Sequence, residues 1–204
     1  MRSLSDVLEH LKTTLQGEKV CTFDIIEALH ERGIGLLVFI FALPAALPLP
    51  GFGINFIIAL PLLILTAQQA LGRHNIWFPE KLKYKSISRE KFVKFLDAAK
   101  PYIQKLELLT KPRLEFITTG VMSHLIGVSG LIMSLSICVP LPLTNTVPAF
   151  GIALMGLGVI MRDGLSVLAG MIIGLCWVAM ISYVLLFIGA EGLDMVKDAI
   201  KSLL

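Results

Sequence analysis

Between Gly33 and Gly72 the chain has no ionisable side chain, and between Glu115 and Arg162 it has no Lys, Arg, Asp or Glu. Charged residues make up only 16% of the 204 residues, while 55% are apolar and the mean hydropathy is +0.80. Soluble domains hold about 45–50% apolar residues, so this balance excludes an ordinary soluble domain and predicts a polytopic membrane protein. Cysteine is scarce too: Cys21, Cys138 and Cys176 are odd in number and far apart, which argues against a disulfide framework. The opening Met1-Arg2-Ser3-Leu4-Ser5-Asp6 has no apolar core behind its positive charge. No cleavable secretory signal is expected, and insertion would use an internal segment.

Motifs for chemistry are equally sparse. Glu27-x-x-His30 is a single copy, whereas carboxylate-bridged metal sites need that spacing on two helices. His10, His74 and His124 are scattered, and no cysteine pair has zinc spacing. Ser166 follows Asp163 by three residues but lacks a nucleophile elbow, and no Gly-rich loop has phosphate-binding spacing. The expectation is therefore no metal, no cofactor and no catalytic residue. An intramembrane enzyme would have to draw on His124, Asp163 and Glu191.

What the chain does have is two apolar stretches broken by proline. The first runs Leu43-Pro44-Ala45-Ala46-Leu47-Pro48-Leu49-Pro50-Gly51-Phe52-Gly53, and the second Ser136 to Pro148 through Pro140-Leu141-Pro142-Leu143-Thr144-Asn145-Thr146. Non-helical backbone at membrane depth survives only inside protein or beside a wet cavity. Paired breaks of this kind point to a binding site. Pro48, Pro50, Gly51 and Gly53, with Pro140, Pro142 and Pro148, are the expected helix breaks, and Pro44 and Pro61 add further interruptions. The limbs are short: Ile34 to Leu47 would rise about 21 Å and Ile54 to Leu71 about 27 Å, against a hydrocarbon core of roughly 30 Å. Re-entrant hairpins and short tilted spans both fit. The second pair is expected at about Thr119 to Val139 and Thr146 to Met161.

At an offset of 92 residues, Gly35 matches Gly127, Pro48-Leu49-Pro50 matches Pro140-Leu141-Pro142, and Gly72 matches Gly164. An internal repeat is expected, parallel or inverted. At the tips, Asn55, Thr144, Asn145 and Thr146 are the candidate substrate-binding residues, because free N–H groups and the positive dipole end of a half-helix attract polar or anionic groups. The simpler reading is that they cap the second limb of each hairpin. Gln68, Arg73, Arg162 and Asp163 are candidate gate residues. Their alternative is a place at the membrane surface, with Arg162 and Asp163 paired locally. One turn inside, at least one of Gln68 and Gln69 should face protein or water.

Residues 73–115 carry eleven Lys/Arg against five Asp/Glu, a net +6. Retained basic residues set orientation, so this segment is expected on the cytoplasmic side, against anionic headgroups. Its basic residues interleave with acidic ones and flank membrane segments, which speaks against nucleic acid. Residues 3–17 and 22–32 read as amphipathic helices, and Ser88 as the cap of another. Arg162-Asp163-Gly164 reads as a tight turn, after which Leu165 to Gly189 forms 25 uninterrupted apolar residues, the clearest span. Gly170 and Gly174 make a GxxxG pair on it, suited to homodimerisation or to packing within the chain.

Several of these motifs together carry a family resemblance. Gly33-Ile34-Gly35-Leu36-Leu37, Leu43-Pro44-x-x-Leu47-Pro48-Leu49-Pro50-Gly51, and Leu60-Pro61-Leu62-Leu63-Ile64-Leu65 with Gln68 and Gly72-Arg73 lie in the first half. Lys111-Pro112-Arg113-Leu114, Val139-Pro140-Leu141-Pro142, Asn145-Thr146-Val147-Pro148-Ala149 and Arg162-Asp163-Gly164 follow in the second. In this order, over roughly residues 20–190, the chain resembles the exopolysaccharide synthesis family ExoD. The resemblance implies a bacterial inner-membrane protein associated with exopolysaccharide production, and it carries no catalytic residues.

The expected architecture is all-α. A single membrane domain is divided into amphipathic N-terminal helices (1–32), a first broken hairpin (33–72), a basic interfacial segment (73–115), a second broken hairpin (116–162), a transmembrane helix (163–190) and a tail (191–204). The expected function is transport of a small solute or ion, with a polar site where the hairpin tips meet. The alternative is an accessory protein that scaffolds a polysaccharide-synthesis enzyme or binds lipid. The bilayer, a second copy of the chain through Gly170 and Gly174, and the synthesis machinery are the partners in view.

Overall fold

The computed structural model describes residues 19–21, 31–46, 54–72, 86–90, 112–139 and 145–187, with isolated positions at 9, 12, 93, 94, 97, 101, 104, 105 and 110. The fold is helical: α1 (Glu31–Ala46), α2 (Ile54–Ala70), α3 (Val121–Cys138), α4 (Thr146–Met161) and α5 (Gly164–Phe187), with one 3-10 turn at Glu115–Ile117. A small antiparallel ribbon pairs β1 (Lys19–Cys21) with β2 (Ser86–Ser88), a feature that an all-α reading does not contain. Ser88 ends β2 directly before helical Arg89 and Glu90.

Each helix follows from its sequence. Apolar residues fill every turn; α4 has the expected bounds Thr146 and Met161, and α3 lies just inside the expected Thr119 to Val139. Two prolines fall within the expected limbs Ile34 to Leu47 and Ile54 to Leu71 without ending them. Pro44 lies inside α1 and Pro61 inside α2. A lone proline removes one backbone hydrogen bond and kinks a helix, which tertiary packing tolerates. Helix α1 also begins at Glu31, ahead of the expected limb.

The most extensive packing is of α1 on α4, α2 on α3 and α4 on α5. Gly35 of α1 abuts Gly156 and Val159 of α4, while Gly127 and Gly130 of α3 abut Gln69–Ala70 and Thr66 of α2. Both pairs are antiparallel, since Phe39 also meets Gly156 and the α2 numbers fall as the α3 numbers rise. Consequently the end of α1, the start of α2, the end of α3 and the start of α4 share one end of the bundle. The opposite end gathers Gly72, Val121, Arg162 and Gly164.

Helix α4 is central and buried on nearly all sides, as expected for a helix apolar all round. Gly156 admits α1 and Gly151 admits α5, where a Cβ at Gly151 would lie 2.7 Å from the Gly170 carbonyl oxygen. Gly170 and Gly174 thus face Gly151, Met155 and Met133 within the chain. The core is Ile34, Val38, Ala42 and Ala45 from α1, Ala59, Leu62 and Leu65 from α2, and Met133, Ile137, Ile152 and Met155 from α3 and α4.

The surface reverses the usual pattern. Val121, Leu125, Val128, Ile132, Leu135 and Val139 form an exposed stripe along α3 at three- and four-residue spacing. Helices α3 and α5 are long and apolar enough to cross a membrane; α5 has a mean hydropathy of 2.2 with only 22% of that window buried. A soluble core helix of such hydropathy would be mostly buried. The buried set meanwhile contains Thr66, Gln68, Gln69, Ser129, Ser134 and Asp163.

Candidate functional site

At the end of the bundle that holds Gly72, Val121 and Arg162, two motifs fifty residues apart meet. Leu114 and Arg162 both adopt left-handed backbone, φ 53° and 55°, and reverse the chain on either side of the contact. The Gly164 N–H donates to the Arg113 carbonyl at 2.7 Å, and the Asp163 N–H to that of Gly158 at 2.8 Å. The buried Asp163 side chain accepts from the Leu165 N–H at 3.1 Å and the Ser166 hydroxyl at 2.9 Å. It is therefore the cap of α5, satisfying donors that a helix start leaves orphaned.

This corrects the expected Arg162–Asp163 pairing. Left-handed backbone turns Arg162 away, and its Nη1 stands 4.0 Å from Glu115 Oε1. That oxygen is buried without a hydrogen bond. A half-exposed pair at this distance is worth about 0–1 kcal/mol. Thr118 and Thr119 donate their hydroxyls to the Glu115 carbonyl at 2.8 and 3.3 Å, closing the turn.

The second polar feature runs along the α2–α3 seam. The Thr66 hydroxyl donates to the Leu62 carbonyl at 2.7 Å, and Gln68 Nε2 to the Ile64 carbonyl at 3.2 Å. Gln69 Nε2 reaches across to Ser123 Oγ at 3.4 Å, and His124 Nδ1 bonds the Ala70 carbonyl at 3.0 Å. The His124 ring also covers Gly72, whose positive φ of 64° suits glycine. His124 thus hydrogen-bonds to α2, while the Asp163 side chain takes its hydrogen bonds from Leu165 and Ser166. Gln68 and Gln69 are both buried, as their cost in lipid requires. One turn beyond Gly130 lies Ser134, fully buried, with its hydroxyl unpartnered.

Among the expected tip residues, Asn145 occupies the N-cap of α4, but its side chain makes no cap hydrogen bond. Thr146 begins α4 and is half-buried; Pro148 is buried in the first turn, where proline is tolerated. Asn55 lies in the first turn of α2, with its side chain outside the described residues, as are Thr144, Pro48, Pro50, Gly51, Gly53, Pro140, Pro142 and Arg73. Gln68, Arg162 and Asp163 sit at the other end, separated from Thr146 by the length of the 16-residue α4, about 24 Å. Sequence reasoning missed Thr66, Ser123, Ser134 and Glu115. The Gly127-x-x-Gly130 spacing beside two serines was the signal for the seam; nothing local marked Glu115.

Among the described residues, these features define an antiparallel bundle of five helices with an apolar exterior, a polar seam and two candidate membrane-spanning helices. The chain belongs to the ExoD family, described as "Exopolysaccharide synthesis, ExoD", which it matches over residues 4–183. It is 30% identical over 190 residues to the Synechocystis sp. (strain ATCC 27184 / PCC 6803 / Kazusa) protein slr1875, covering 91% of this chain and 90% of that one. It is also 30% identical over 173 residues to Protein ExoD of Rhizobium meliloti (strain 1021), covering 83% and 72%. No solved structure matches the chain. The family associates the chain with exopolysaccharide synthesis.

Proposed function

We propose that this ExoD-family chain is a multi-pass protein of the bacterial inner membrane that moves a small polar solute or ion in support of exopolysaccharide synthesis. One observation carries the reading: polar side chains at Thr66, Gln68, Gln69 and Ser134 are buried between α2 and its neighbours while the α3 exterior is apolar. Polar groups inside an apolar bundle are costly and mark substrate paths. The path would run from the tip residues Asn55 and Thr144 to Thr146, along the seam, to a gate at Gln68, Arg73, Arg162 and Asp163. The nested pairing of α1 with α4 and α2 with α3 supports two equivalent hairpins. Their tips at one end support parallel copies, each limb a short span or re-entrant.

Proteoliposomes holding the full chain test this, with tracer uptake of inorganic ions, amino acids and small saccharides. Thr66→Val and Gln69→Leu are expected to lower flux of the transported class. Asn55→Ala and Asn145→Ala test the tips, and flux unchanged by both removes the tip site. No flux of any class would leave the accessory reading. That reading draws on the ribbon and on Arg89 donating to the Lys12 carbonyl at 3.2 Å, which tie the N-terminal segment to the basic one. It predicts co-purification of synthesis machinery, lost on charge reversal at Lys81, Lys83 and Lys85.

A further inference from the structure

We propose that the connector from Arg113 to Val121 is an anchor seated on the lipid surface, with Leu114 and Phe116 among the upper acyl chains and Arg113 at the phosphates. This rests on reading α3 and α5 as spanning helices.

The 3-10 turn distributes its three side chains in three directions. Ile117 enters the core at 6% exposure, Glu115 lies under Arg162, and Phe116 projects outward at 62%. Just before it, left-handed Leu114 packs its Cβ side on Gly164 and leaves the side chain 42% exposed. These groups continue the apolar exteriors beside them: Val121, at 80% exposure, starts the α3 stripe, and exposed Leu165 lies in the first turn of α5.

A connector in water turns its large apolar groups in; this one turns Leu114, Phe116 and Val121 out. Three of its carbonyls are also satisfied internally, which suits an apolar surrounding. The Arg113 carbonyl takes the Gly164 N–H, the Leu114 carbonyl takes the Ile117 N–H at 2.9 Å, and the Glu115 carbonyl takes the Thr118 N–H at 2.9 Å. Arg113 is exposed with its backbone pinned, so its long stem is placed to extend along apolar surface and deliver the guanidinium to the headgroups. Charge and apolar area are thus arranged as a bilayer interface presents their complements.

Depth-dependent fluorescence quenching tests the proposal. The full chain carrying Trp77→Phe and Trp177→Phe is reconstituted in vesicles containing lipids brominated either near the carbonyl end or far down the acyl chain. An indole is introduced by Phe116→Trp or, as a depth reference, by Ile132→Trp midway along the exposed α3 stripe. The expected result is strongest quenching by the shallow bromines at 116 and by the deep bromines at 132. Quenching at 132 with none at 116, or with 116 quenched most by the deep lipid, overturns the anchor and leaves the spanning reading intact. Quenching at neither position overturns the spanning reading and the anchor with it. If the background substitutions abolish the melting transition, difference quenching of each variant against the native chain makes the same comparison.

Discussion

Gly127 on α3 rests against the backbone of α2 at Ala70: a Cβ at 127 would lie 2.6 Å from the Ala70 Cα and from the Gln69 carbonyl carbon. Backbone cannot swing aside as a side chain can, so Gly127→Ala should force α2 and α3 apart. The helix-propensity gain of about 1 kcal/mol is outweighed, and net destabilisation of about 1–3 kcal/mol is expected. Thermal unfolding in detergent reads it, with exposed Ala169→Leu as the unaffected control. A higher melting temperature for Gly127→Ala would contradict the contact.

Met133 is fully buried against Gly174, with its Cε 3.2 Å from where a Cβ would stand. Met133→Ala should open a cavity costing about 2–5 kcal/mol. Gly174→Leu should lower the melting temperature of the chain whatever its oligomeric state. If sedimentation showed instead that Gly174→Leu dissociates a dimer without loss of melting temperature, the glycine pair would serve association between chains.

Asp163 and Arg162 are adjacent but should differ in weight. Removing the cap by Asp163→Ala should cost about 0.5–2 kcal/mol, with Ser166→Ala losing part of it. Arg162→Ala removes only a long ion pair, worth about 0–1 kcal/mol. Denaturant or thermal melts rank them, and a larger loss for Arg162→Ala would make the contact to Glu115 the organising one.

Outside the bundle, Lys12 forms an ion pair with Asp97. Its hydrogen bond to that carboxylate raises the ammonium pKa above its ordinary 10.5. A folded-state pKa raised in this way contributes stability that is present below the unfolded value and lost as pH rises through the folded one. The tie between residues 12 and 97 should therefore hold across neutral pH and weaken above about 10.5. A cross-link between cysteines placed at Lys12 and Asp97 would remove that pH dependence; local hydrogen exchange that does not change above this pH would refute the tie.

Much of the bundle was legible from residue order. The lack of charge from Gly33 to Gly72 and from Glu115 to Arg162 marked the helices, and Asn145-Thr146 and Arg162-Asp163-Gly164 marked the bounds of α4. Proline acts according to its neighbours, and the expected limbs Ile34 to Leu47 and Ile54 to Leu71 already contained Pro44 and Pro61. Pro44 and Pro61 remain inside helices, where each withholds a single N–H, whereas α1 has ended by Ala46, ahead of Pro48. The β1–β2 ribbon was not legible, since three-residue strands carry no periodic pattern. Nor was the change of partner by Arg162, which depends on left-handed backbone at that residue.

Composition and hydropathy were enough to predict apolar helices suited to a membrane, because those properties sum over local residues and need no knowledge of neighbours. Motif order was enough for the family. Which glycines touch which helix, that α4 lies at the centre, that Asp163 caps α5 while Arg162 faces Glu115, and that Phe116 points outward were decided only by the tertiary structure. Each depends on contacts between segments tens of residues apart, and close packing selects among arrangements that the local sequence leaves equal.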